Sequence, residues 1–257
     1  MQHLDETNSL RNQYAENSTR RYEVVFGQDF LSTGGLATTK PLCAAMGLQA
    51  GQRVLDVGSG LGGGAFHMAC EYGAKVTCLD LEPSLVASAE RRANDHGIDG
   101  CEFLVGDVLE TPTADASFDW FHSRDAFLHI PDKATLFQRA FALLKPGGRV
   151  FVTDYGRGSE PMSDEFAAYA DASGYNLLDP AAYATPIEQA GFVDVGVDDC
   201  TSSFVDVLHS DLARMADPSI DLSDEDRAYL TERWKLKERA CQAGDMRWWH
   251  IYAARPD

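Results

Sequence analysis

The sequence predicts a doubly wound α/β fold, a mostly parallel sheet covered by helices on both faces, and three observations carry that prediction. Short β-branched runs alternate with helical patterns from Gln52 to Tyr155, the rhythm of consecutive βαβ units. A glycine-rich turn follows the first of those runs. After Val197 the pattern changes from strands to helices, and the chain closes on an aromatic-rich run.

The strands are read as RVLDVG, KVTCLDL, CEFLVGD, SFDWFHS and GRVFVTDY. A helix covering Ala65 to Tyr72 follows the glycine turn. Leu85, Val86, Ala89 and Ala93 recur at helical spacing behind Glu82, Pro83 and Ser84, which suit a helix start. Phe137, Ala140, Phe141 and Leu144 form another stripe, ended by Lys145 to Gly148. A helix from Pro180 to Gln189, closed by Gly191, leads into the alternating strand FVDVGV. Then come two helices: one carries Phe204, Leu208, Leu212 and Met215 behind Ser203, the other Tyr229, Leu230, Arg233, Trp234 and Lys237. The second opens with Ser223 and Asp226 at capping-box spacing. MRWWHIYAAR reads as a last strand returning to the sheet, with Trp248 and Trp249 in the core. The expected organisation is an N-terminal lid over residues 1–40, an α/β core over 41–200, a helical lid insertion over 201–245 and the closing strand over 246–257.

At 257 residues the chain suits one large domain, or a core with one modest insertion. Forty Asp and Glu against 22 Lys and Arg give a formal charge of −18, which repels phosphate backbones and anionic membranes, so no nucleic-acid partner is expected. No long apolar run and no secretory leader is read in the sequence, so the expectation is a cytoplasmic protein without membrane insertion. The six cysteines lack CxxC spacing; they are read as reduced, mostly buried thiols, and no metal site is expected.

The most informative stretch is VLDVGSGLGGG, from Val54 to Gly64, a buried strand running into a glycine turn and a helix. Gly58, Gly60 and Gly62 allow a sharp turn and close approach of a ligand, and the following helix offers free N–H groups. Gly58, Gly60 and Gly63 also satisfy GxGxxG, so an NAD-dependent oxidoreductase has to be weighed. The acids decide. Asp80, ending the second strand, suits ribose hydroxyls of either cofactor. Asp107 in VGDV can accept from an adenine amine, and Asp56 under the turn favours an amine-bearing ligand tail over a pyrophosphate. Together they favour S-adenosylmethionine, although each aspartate is also of the type that caps a helix or turn.

These residues resemble the class I S-adenosylmethionine-dependent methyltransferases, with their Rossmann-like fold, and within them the phosphoethanolamine (phosphobase) N-methyltransferases. The resemblance covers nearly the whole chain. It rests on NQY (Asn12 to Tyr14), YEVVFGQDFLSTGGLATTK from Tyr22, LDVGSGLGGG from Leu55, SRDAFLHI from Ser123 and TDY from Thr153. It implies cofactor contacts at Tyr22, Leu31, Ser32, Asp56, Gly58, Gly60, Asp80, Leu81, Asp107, Val108 and Arg124. It implies a catalytic pair, Tyr14 and His129, with Gln13, Asp125, Tyr155, Tyr169 and Tyr175 around a small amine substrate. A monomer or weak homodimer is expected.

One departure bears on the substrate. The family carries a phosphate-gripping arginine between the two tyrosines of the segment that here reads YADASGY, where Ser173 takes its place. Arg157 is a potential substitute, and a second cation from the C-terminal segment corresponds to Lys235, Lys237 or Arg239. The acceptor is therefore a phosphobase by resemblance, with glycine, sarcosine or dimethylglycine and other small acceptors as alternatives. Any ammonium acceptor must lose a proton first, at roughly 4 to 5 kcal/mol for a lysine-like pKa at pH 7. His129 is the candidate base, its ordinary pKa lying near neutrality, so activity is expected to rise through an apparent pKa of roughly 6 to 8.

Overall fold

A computed structural model describes residues 16–111, 115–158 and 161–257, with the backbone alone at 16–18. The element order is α1 (Glu16–Phe26), α2 (Gly35–Met46), β1 (Arg53–Val57), α3 (Gly63–Tyr72), β2 (Lys75–Asp80), α4 (Pro83–His96), β3 (Cys101–Val105) and β4 (Phe118–Arg124). A 3₁₀ turn (Phe127–His129) leads to α5 (Lys133–Leu143), β5 (Leu144–Arg157), α6 (Asp164–Ala172), α7 (Pro180–Gln189), β6 (Val193–Asp199), α8 (Thr201–Ala216), α9 (Asp224–Ala243) and β7 (Met246–Ala254).

The seven strands form one sheet in the order β3-β2-β1-β4-β5-β7-β6. β1 to β5 pair in parallel, with Val54 beside Val76 and Leu55 beside Phe121, and β7 runs antiparallel between β5 and β6. This is the class I methyltransferase topology, doubly wound as the sequence predicts. The central strands read as continuous apolar runs because both faces are covered. One face buries Val54, Val76, Trp120 and Trp248 against Phe26, Leu42, Phe204, Leu208, Leu230 and Trp234 of α1, α2, α8 and α9. The other buries Leu55, Phe121, Val152 and Ile251 against Phe137, Tyr183 and Ile187 of α5 and α7. The two late helices, α8 and α9, are thus a packed layer of the core as well as the connection to β7.

Local chemistry explains most boundaries. Asp132 caps α5 by accepting from the Thr135 N–H at 2.9 Å, and Asp179 caps α7 from Ala182 at 2.9 Å. Ser223 caps α9, accepting from the Asp226 N–H at 3.1 Å while its hydroxyl donates back to the Asp226 carboxylate at 2.9 Å. Two sequence expectations shift. Leu144 begins β5 instead of ending α5, its backbone already extended at ψ 147. Helix α6 was not anticipated, although Ser163 at its N-cap and Asp164 and Glu165 in its first turn are a legible start signal. The cysteines are less buried than expected, since Cys70 is exposed and Cys101 and Cys200 are half-buried.

Candidate active site

The carboxyl ends of the parallel strands gather the predicted residues: Gly58 after β1, Asp80 ending β2, Asp107 after β3, Arg124 and Asp125 at the end of β4, and Tyr155 near the end of β5. Open α/β sheets bind ligands at this edge. A surface cleft lined by Gln52, Trp120 and Arg149 lies at the opposite, amino-terminal end of the strands, away from these groups.

The glycine turn is held by Asp80. Its Oδ2 accepts from the Gly60 N–H at 2.8 Å and its Oδ1 from the Glu82 N–H at 3.0 Å. Burial pushes its pKa up, while the two backbone donors pull it back. A carboxylate offers about four lone-pair directions, so roughly two remain for ribose hydroxyls. Gly58 sits at φ +73, and a Cβ there would lie 2.5 Å from that of Ala126, so no side chain fits. A Cβ at Gly64 would meet nothing within 4 Å, and one at Gly60 would lie 3.5 Å from Leu31 Cδ1. Leu81 stands 56% exposed at the tip of β2, an apolar surface for an adenine ring, and the end of the adjacent β3, where Gly106 N–H donates to the Asp80 carbonyl at 3.0 Å, leads to half-buried Asp107 and buried Val108. Asp107 Oδ1 accepts from the Leu109 N–H at 2.9 Å, and its second oxygen has no hydrogen bond among the described residues. These features fit an adenosyl ligand.

Three of the implied cofactor residues have protein partners that the sequence did not disclose. Asp56 is buried, with Oδ1 2.7 Å from His122 Nδ1 on the adjacent strand. Arg124 donates to the carbonyls of Thr33 and Gly35 and to Thr39 Oγ1 at 2.6 Å, so it fastens the segment bearing Leu31 and Ser32. Tyr22 packs on Phe26, and burial beside Tyr229 pushes its hydroxyl up to about 12.

Asp125 is the most constrained residue at the site. It has φ +53 in a non-glycine residue, a strained conformation of the kind found at functional sites. Its Oδ1 accepts from Thr153 Oγ1 and Trp248 Nε1, each at 2.8 Å, while Oδ2 is buried 4.0 Å from Arg124 Nε with no hydrogen bond among the described residues. Trp248, assigned to the core from sequence, therefore also supports this carboxylate. Next to it the Tyr175 ring lies 5.5 Å from His129, 6.1 Å from Tyr155 and 5.7 Å from Tyr169, centroid to centroid. His129 Nδ1 is buried without a hydrogen-bond partner among the described residues. Desolvation, with a smaller contribution from the Lys133 charge, pushes His129 down to about 4, so it is neutral at pH 7 and does not titrate between 6 and 8. Gln13 and Tyr14 lie outside the described residues.

Arg157 does not replace the missing arginine, because Asp179 binds it at 2.9 Å. Of the C-terminal cations, Lys235 is exposed and Arg239 donates to Glu165 at 2.6 Å. Lys237 is buried and reaches the Tyr155 hydroxyl at 3.3 Å. Arg233, one turn earlier, was read as one more position of a helical stripe. Its guanidinium lies 4.9 Å from the centre of the Tyr169 ring. Among the described residues no group of three His, Cys, Asp or Glu side chains is placed to hold a metal, and no helix is long and apolar enough to cross a membrane.

A methyltransferase-domain family model matches residues 48–196. The chain is 41% identical, over 92% of its length, to phosphoethanolamine N-methyltransferase 1 of Arabidopsis thaliana, covering 49% of that protein. It is 31% identical, over 98% of its length, to the phosphoethanolamine N-methyltransferase of Plasmodium falciparum, covering 96% of it. Phosphoethanolamine N-methyltransferase 2 of Haemonchus contortus, solved with phosphomonomethylethanolamine and S-adenosylhomocysteine, matches with a TM-score of 0.93 at 31% identity, over 96% of this chain and 59% of that one. The chain spans about half the length of the plant relatives.

Proposed function

The chain belongs to the phosphoethanolamine N-methyltransferase family, and from that premise we propose that it transfers methyl groups from S-adenosylmethionine to the amine of a small phosphobase. The observation that carries this reading is the Asp125 carboxylate, one oxygen fixed by Thr153 and Trp248 and the other without a hydrogen bond among the described residues, beside a wall of Tyr155, Tyr169, Tyr175 and His129. A buried carboxylate oxygen that lacks a hydrogen-bond donor suits an ammonium, and aromatic faces attract the same cation as methyl groups accumulate on it.

The residues divide the work as follows. Asp80, the Gly58–Gly60 turn, Leu81 and Asp107 hold the adenosyl part, and Asp56 with His122 underlies the turn. S-adenosylmethionine supplies an electrophilic methyl on a sulfonium. Asp125 orients the acceptor amine, since displacement at that methyl requires a lone pair aligned about 3 Å away. His129, neutral at pH 7, accepts the amine proton only in passing and, releasing its own proton near pH 4, delivers it to solvent water, which leaves the amine lone pair free to attack the methyl. Tyr14, from the family motif, is its proposed partner.

The test is a radiolabelled S-adenosylmethionine assay across phosphoethanolamine, its mono- and dimethyl forms, glycine, sarcosine and dimethylglycine, with calorimetry of S-adenosylhomocysteine and NADH alongside. Transfer to the phosphobases with tight S-adenosylhomocysteine binding is expected. Transfer confined to the amino acids would move the reading to a glycine-type methyltransferase, and binding of NADH alone would overturn it. We further place the enzyme in the cytoplasm, as a monomer or weak homodimer; fractionation and light scattering test both.

A further inference from the structure

Helix α9 turns two cations, Arg233 and Lys237, toward the tyrosine corner, one helical turn apart. Neither has a carboxylate partner among the described residues, in a chain with 18 more acids than bases. Other arginines find acids, as Arg92 does with Glu23 and Asp29, Arg157 with Asp179 and Arg247 with Asp199, or backbone carbonyls, as Arg227 and Arg255 do; Arg233 and Lys237 have neither among the described residues. Lys237 is 4% exposed, with Nζ 4.5 Å from the Tyr155 ring centre and 4.7 Å from that of Trp234. Arg233 is half-buried between the rings of Tyr169 and Tyr229, at 4.9 and 5.3 Å, and its Nε is buried without an acceptor.

Burying two like charges without counter-charge is costly. Burial and the Arg233 charge push Lys237 down to about 7, which reports that cost. The acids nearest in effect, Asp125 and Asp211, offset that cost only in part. Asp211 is occupied by the Gly34 N–H and the Trp234 Nε1, each at 3.1 Å. The arrangement is explained if the counter-charge arrives with the substrate. A guanidinium fork, an ammonium and the Tyr169 hydroxyl, which is buried with Ser173 and Tyr175 close by and no hydrogen bond of good geometry, present donors from several directions. Two cations match a phosphate monoester dianion, and a bidentate fork suits its oxygens better than a lone carboxylate does.

Resting on the phosphobase reading, we propose that Arg233 is the phosphate-gripping residue of this chain, acting with Lys237 from the α9 wall in place of the arginine that Ser173 lacks. Ser173 is the C-cap of α6, 7% exposed and close to the Tyr169 hydroxyl. Both positions thus border Tyr169. The substrate then lies with its phosphate at Arg233 and Lys237 and its amine at Asp125. Ethanolamine, lacking the anion, leaves both cations unpaired and is rejected.

The test compares wild type, Arg233→Met, Arg233→Lys and the double variant Arg233→Met/Ser173→Arg, with phosphoethanolamine as acceptor and S-adenosylhomocysteine calorimetry as a control for folding. Methionine keeps the stem that packs on Tyr169 and removes the fork. Arg233→Met is expected to raise KM for phosphoethanolamine at least 30-fold, with S-adenosylhomocysteine affinity within twofold. Arg233→Lys should recover only part of that loss, and Ser173→Arg in the Met background should lower KM again by fivefold or more. An unchanged KM in a folded Arg233→Met enzyme overturns the role of Arg233 while leaving the phosphobase reading intact. A wild-type protein that neither methylates phosphoethanolamine nor binds it overturns both.

Discussion

Replacing Asp125 by Asn separates the charge of the proposed amine-binding group from its place in the fold. The backbone there sits at φ +53, and Asn is among the few residues that tolerate that region. The amide oxygen can keep both 2.8 Å bonds from Thr153 and Trp248, so the β4–β5–β7 junction keeps its hydrogen bonds. What changes is the second oxygen, which has no hydrogen bond and lies 4.0 Å from Arg124 Nε. Arg124 retains its three other acceptors. Asp125→Ala would be a poorer probe, because it strands two buried donors at about 1 to 3 kcal/mol each. In Asp125→Asn the loss is one charge-assisted contact to the substrate ammonium, about 1.5 to 3 kcal/mol, which is roughly 10- to 150-fold in kcat/KM. Steady-state methyl transfer to phosphoethanolamine reads it, with S-adenosylhomocysteine calorimetry and thermal melts on the same preparation. A kcat/KM within twofold of wild type refutes the assignment of the amine to Asp125. So does a fall in S-adenosylhomocysteine affinity that matches the fall in turnover, which would place the residue with the cofactor.

Asp80→Ala should weaken S-adenosylhomocysteine binding by about 1.5 to 3 kcal/mol and lower the melting temperature as well, since the Gly60 and Glu82 N–H groups lose their acceptor; unchanged affinity removes Asp80 from the site. Gly58→Ala should destabilise the fold by about 2 kcal/mol or more, combining the left-handed penalty with a Cβ contact at 2.5 Å, as read by urea unfolding. His129→Ala should lower kcat more than tenfold with S-adenosylhomocysteine affinity within about threefold, and wild-type activity should show no limb between pH 6 and 8 belonging to this residue. The same histidine is held neutral by the fold, its pKa falling from 6.5 to about 4, so wild type loses its contribution as pH drops through that window, about 3 kcal/mol in all. His129→Ala should lose less stability than wild type between pH 7 and 4.5 in denaturant titrations; parallel losses would show that the ring is not kept uncharged by burial.

The sheet was legible because β1, β2, β4 and β5 are buried on both faces and so carry unbroken apolar runs, and the glycine turn was legible because Gly58 admits no side chain. Partnerships across the sheet were not. His122 reaches Asp56 over 66 residues and Trp248 reaches Asp125 over 123, and nothing local distinguishes such a histidine or tryptophan from one that only packs. The choice among Lys235, Lys237 and Arg239 is different, because a local signal existed. Leu230, Trp234, Lys237 and Cys241 recur at the three- and four-residue spacing of one helix face, and all four are buried. Lys235 and Arg239 fall off that face and are exposed. A lysine that keeps step with leucine and tryptophan must bury its charge or bend it out to water, and Arg233, adjoining the same stripe, faces the same constraint. Other cations drawn into this fold find an acid or backbone carbonyls, as Arg92 and Lys133 do, so two neighbours on one helix that find neither among the described residues point to a site whose anion comes from outside the protein.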